Sequence, residues 1–110
     1  ALLRRAKLTV ERCLHIGDTT LLYDAQSLTV GGKMVELPRK EFQLLYKLLA
    51  DCNRIFTRKQ LMDEIWEYAS NSDEHTVDVH INRIRTRFAS NRDFKIVTIR
   101  GIGYKAVKLR

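Results

Sequence analysis

Cysteine is scarce in this chain. Cys13 and Cys52 are the only two, and they fall into no C-x-x-C or Cys/His spacing. That leaves no framework of disulfides and no zinc-ligand pattern, and it points to two reduced thiols in a cytosolic protein. No apolar run approaches the ~20 residues of a membrane-spanning helix. The opening residues "ALLRRAKL" are too short and too charged for a secretory signal. Residues 1–7 read instead as the remnant of a linker to something upstream. Internal repeats and low-complexity segments are lacking as well. The last shortage is of one charge sign: residues 75–110 hold only Asp78 and Asp93 against nine Lys/Arg, whereas residues 1–74 carry eleven of each sign. The whole +7 therefore sits in one third of the chain, as expected of a surface that meets a polyanion. Nucleic acid is the leading partner.

What is present suffices for one domain, residues 8–110, with one modest core; 45% of the 110 residues are hydrophobic and 30% charged. Residues 8–37 read as a small antiparallel sheet of about four strands. Thr20 to Tyr23 and Ser27 to Val30 are β-prone, and "VGGK" supplies a two-glycine hairpin turn before Lys33 to Leu37 returns. From Pro38 the period lengthens. "PRKEFQLLYKLLADC" puts Phe42, Leu45, Leu48 and Leu49 on one helix face. "IFTRKQLMDEIW" starts a second helix at a capping box, Thr57 with Gln60, and buries Leu61 and Ile65. A third follows in "DEHTVDVHINRIRTRF", capped by Ser72 or Asp73, with Asp73 and Glu74 at its positive end. The helices occupy residues 38–89. "ASNRD" ends the third, and "FKIVTIRGIGYKAVKL", residues 94–108, alternates about a Gly-x-Gly turn as a hairpin of Lys95 to Ile99 with Tyr104 to Val107. Sheet, three helices and a basic hairpin define an α+β winged helix-turn-helix.

The third helix carries the functional signal. Val77, Ile81, Ile84 and Phe88 lie within about 40° of one direction and form the buried stripe. His75, Val79, Asn82, Arg83 and Thr86 cluster within roughly 60° of the opposite direction. A valine among hydrogen-bonding side chains suits a major groove, where a thymine methyl takes an apolar contact. Arg83 matches guanine O6 and N7, and Asn82 an adenine edge. Thr76 and the free N–H groups at the helix start suit a phosphate. The plainer alternative is a lone exposed valine of no consequence. A metal site at His75 and His80 is disfavoured, because five residues separate them by about 140° on a helix. No nucleophile, base and oxyanion site assemble, so neither catalysis nor a cofactor is expected. A winged helix used only for protein contact is the other rival, and the basic third helix and Arg100 argue against it.

"DEHTVDVHINRIR" followed by "VTIRGIGYKA" resembles the effector domain of OmpR/PhoB-type two-component response regulators. There, D-E-R-T-V-D-V-H-I-x-R-L-R precedes T-V-R-G-x-G-Y by about a dozen residues. The likeness takes in "KEFQLL" and "FTRKQLMDEIW" and spans residues 8 to 107. It implies a recognition helix in the major groove of double-stranded DNA and a wing in the minor groove. Asn82, Arg83 and Val79 would face bases. Thr76, His80, Arg85 and Tyr104 would touch phosphates, Arg87 would join the DNA-binding set, and Trp66 would support the backbone before the recognition helix or serve as a core aromatic. Thr98 and Arg100 would reach from the wing, with Gly101 and Gly103 permitting its tight turn. Further implications are head-to-tail binding of two copies to direct repeats, a loop at 67–72 facing RNA polymerase, an upstream receiver domain served by a histidine kinase, and a cytoplasmic location. Departures stand out. His75 occupies a usual Arg position, Asn82 a frequently basic one, and Glu67 a usual Gly. The usual L-T-P-K-E-F is "LPRKEF", which removes a threonine cap worth about 1 kcal/mol.

Overall fold

The computed structural model describes residues 12–66 and 75–109. The linker reading of residues 1–7, the cap at Ser72 or Asp73 and the loop at 67–72 lie outside them. The first sheet is an antiparallel meander in the order β1 (Cys13–Ile16), β2 (Thr19–Leu22), β3 (Ser27–Val30) and β4 (Lys33–Val35). Val30 pairs with Lys33 across Gly31 and Gly32, both at positive φ, so the "VGGK" turn forms as expected. Leu21 and Leu28 face each other on the inner side and are fully buried.

Helix α1 (Arg39–Ala50) supplies the centre of the core through Phe42, Leu44, Leu45, Leu48 and Leu49. Its N-cap is Pro38, with no side-chain hydrogen bond to the first turn, so the missing threonine has not been replaced there. Helix α2 (Arg58–Leu61) is shorter than its sequence pattern suggests, because the chain widens into a π-helical turn over Met62–Trp66. The capping box at its start is present on both sides: Gln60 N donates to Thr57 Oγ1 at 3.0 Å, and Thr57 N donates to Gln60 Oε1 at 2.8 Å. Lys40 Nζ donates to the Ile65 carbonyl at 2.6 Å and so ties the π turn to α1. Helix α3 (His75–Arg87) buries Val77, Ile81 and Ile84 completely, while Phe88 is half-buried just beyond its end.

The C-terminal hairpin is more than a hairpin. Strands β6 (Phe94–Ile99) and β7 (Gly103–Lys108) pair as expected, but β7 also pairs with β5 (Phe56–Thr57), giving a three-stranded sheet in the order β5-β7-β6. This corrects the reading of the two glycines. Gly101, at φ +77°, makes the turn; Gly103 is needed for close approach, since a Cβ there would lie 1.9 Å from the Phe56 carbonyl oxygen. The two sheets are joined through buried Asp93. Its Oδ2 accepts from Asp18 N at 3.1 Å and Thr19 Oγ1 at 2.7 Å, while Asn91 Nδ2 donates to the same Thr19 hydroxyl.

Candidate nucleic-acid interface

Burial of one α3 face leaves the other to solvent. Val79, Asn82, Arg83, Thr86 and Arg87 together line a shallow open depression along the helix. Asn82, Arg83, Thr86 and Arg87 are exposed, and Val79 is half-buried among them. The structure therefore brings together the base-facing residues read from the sequence, with Arg87 at the far end. His75 is exposed at the near end, its Nδ1 3.5 Å from Asp78 Oδ2. Thr76 is half-buried, and its carbonyl lies 2.8 Å from His80 Nδ1. A carbonyl only accepts, so Nδ1 is the donor in that contact. Trp66 meets His80 edge to face at 4.9 Å and packs on the core.

Two residues expected on phosphates are turned toward the protein. Arg85 donates from Nε and Nη2 to the Ile96 carbonyl, at 3.2 and 3.0 Å, and from Nη2 to Thr98 Oγ1 at 2.7 Å. Its guanidinium also lies 5.6 Å from the Tyr104 ring centroid. Tyr104 is buried, and its hydroxyl donates to Asp78 Oδ1. That single O–H is then committed within the protein. Burial, followed by the bond to Asp78, pushes the phenol up to about 12. Burial also pushes the Asp78 carboxyl up, but Tyr104, Arg58 and His75 outweigh it and hold it below the usual carboxylate range. Arg58 Nη1 reaches Asp78 Oδ2 at 3.0 Å. Asp78 thus joins α2, α3 and the wing.

At the wing tip Ile99 pairs with Gly103 across Arg100, Gly101 and Ile102, closed by Ile102 N donating to the Ile99 carbonyl at 2.9 Å. Arg100 and Thr98 are exposed. Ile102, 51% exposed beside Arg100, was not singled out in the sequence. Nor was Glu41. It is buried in α1, with Oε2 4.0 Å from Arg83 Nη1. Its position at i, i+4 and i+7 with Leu45 and Leu48 is the pattern that marks it as inward-facing.

A fully buried helix face, a polar and basic opposite face, and an arginine-tipped wing define a winged-helix DNA-binding domain. A family model described as "Transcriptional regulatory protein, C terminal" matches residues 32–106, and the chain belongs to that family. It is 45% identical over 106 residues to the heme response regulator HssR of Staphylococcus aureus (strain JH9), covering 96% of this chain and 47% of that protein. The chain thus spans about half the length of the curated relatives it matches. Among solved structures, the response regulator DrrB of Thermotoga maritima, an OmpR/PhoB homologue, superimposes with a TM-score of 0.73 at 31% identity, over 86% of this chain and 44% of that one. The DNA-binding domain of CpxR from E. coli gives 0.76 at 28% identity, over 90% and 99%. The domain is a DNA-binding output module of the OmpR/PhoB type, and it regulates transcription rather than catalysing a reaction. No described helix is long and apolar enough to cross a membrane.

Proposed function

We propose that α3 enters the major groove of double-stranded DNA and reads bases through Arg83, Asn82 and Val79, while Arg100 enters an adjacent minor groove. The observation that carries this reading is the open face formed by Val79, Asn82, Arg83, Thr86 and Arg87 opposite fully buried Val77, Ile81 and Ile84. Thr76, His75 and His80 serve the phosphates near the helix start, and Thr98 serves them from the wing. Arg85, Tyr104 and Trp66 hold α3 and the wing in place. In the whole protein the domain follows a receiver domain addressed by a histidine kinase. It acts in the cytoplasm, binds direct repeats as two head-to-tail copies, and meets RNA polymerase through residues 67–72.

Selection from random duplex DNA with this chain identifies the site and shows whether it is a direct repeat. Arg83→Ala and Arg100→Ala then separate the two grooves. Arg83→Ala should relax preference at one base pair by roughly 1–3 kcal/mol. Arg100→Ala should weaken binding most where an A·T-rich flank narrows the minor groove, and Arg100→Lys should recover only part of the loss. An equal loss on A·T-rich and G·C-rich flanks would reduce Arg100 to a generic phosphate contact.

A further inference from the structure

A Glu or Gln side chain at the third position of a helix ordinarily reaches back to accept from the N–H of the cap residue, as the Gln60 amide oxygen does in α2. Helix α1 denies Glu41 that partner, because its N-cap is proline, which has no N–H. Glu41 is nevertheless 1% exposed, and its Oε1 finds no hydrogen-bond partner among the described residues. Its other oxygen points toward α3, 4.0 Å from Nη1 of Arg83, whose side chain is 60% exposed. A buried carboxylate with one oxygen left without a hydrogen bond among the described residues is costly, and this favours a nearby cation, here Arg83 at 4.0 Å. An arginine fork has two usable edges. With Nη1 near Glu41, the rest of the guanidinium is free to serve a base, since the side chain is 60% exposed and lines the open face of α3.

We propose that Glu41 is a positioning residue for base recognition: a carboxylate beneath the recognition helix that aims the Arg83 guanidinium at one base pair. The inference rests on Arg83 reading a base. Without Glu41 the arginine keeps its charge but swings to neighbouring phosphates, which trades specificity for generic attraction. The negative charge of Glu41 also opposes DNA, so its removal should not weaken binding to unrelated duplexes.

The test compares the unsubstituted chain with Glu41→Gln, Arg83→Ala and the double variant. Affinity is measured on the selected site, on that site altered at the pair Arg83 reads, and on a scrambled duplex, with thermal unfolding recorded for each protein. Glu41→Gln should lower discrimination at that one pair by roughly five- to tenfold. Its affinity for the scrambled duplex should be unchanged or higher, and it should have no further effect once Arg83 is alanine. A folding role would lower binding to every duplex together. Should the amide fail to fold, Glu41→Met keeps the volume and removes the charge. Unaltered discrimination in the Glu41 variants, or an equal loss with and without Arg83, overturns the inference. If Arg83→Ala itself leaves discrimination intact, the base-reading role of Arg83 falls first and Glu41 falls with it.

Discussion

Val79 and Ile81 stand two residues apart on α3 and belong to opposite worlds. Ile81 is fully buried, so Ile81→Ala should cost on the order of 2–4 kcal/mol in denaturant unfolding. Val79→Ala should leave the melting temperature nearly unchanged and weaken preference for a thymine in the selected site. That facing was legible from spacing alone, since a helix fixes direction by its period. The inward turn of Arg85 and Tyr104 was not legible, because it depends on where the wing lies against α3. Tyr104 makes that contact measurable. Its phenol is raised in the fold, so the stability it contributes is present below about pH 10 and lost as pH climbs through about 12. Asp78 is lowered, so its share is present above about pH 4 and lost on acidification below that. Tyr104→Phe should therefore be less stable than the unsubstituted chain by about 1.5–3 kcal/mol near neutrality. Unfolding measured across pH should show that gap closing at both extremes; a gap independent of pH would detach Tyr104 from Asp78.

Elements differ in how openly the sequence announces them. Helix α1 and the "VGGK" turn follow from apolar period and paired glycines, and the α2 start follows from its capping box. Strand β5 is two residues long, too short for any alternation to register, yet it determines why Gly103 is glycine. The π turn at Met62–Trp66 shares its residue preferences with an ordinary helix, so nothing in "MDEIW" marks it. Substitutions at the two wing glycines should expose the difference between a turn and a close approach. Gly101→Ala strains a positive φ in open space and should cost about 1–3 kcal/mol. Gly103→Ala must part β7 from β5 and should unfold the domain at a markedly lower denaturant concentration than Gly101→Ala does. At the start of α1, Pro38→Thr should restore a cap and raise stability by about 1 kcal/mol, read as a higher melting temperature.

At the scale of the molecule the +7 of residues 75–110 governs how binding responds to salt. With about 4 to 6 phosphate contacts, log K against log salt should fall with a slope near −4 to −5 in titrations at several salt concentrations. A slope close to zero would separate the basic third of the chain from DNA. Hydrogen bonds between α3 and the wing, from Arg85 to Ile96 and Thr98 and from Tyr104 to Asp78, bear on shape as well as charge. They fasten the wing to α3 at two points, like the jaws of a calliper set at one opening. If α3 and the wing enter adjacent grooves as proposed, a duplex whose groove spacing differs from that opening should have to bend or narrow a groove, at a cost of order 1–6 kcal/mol for smooth bends. Base steps lying between the two jaws, touched by neither, should then influence affinity through their stiffness, which binding to duplexes varied only at those steps would show.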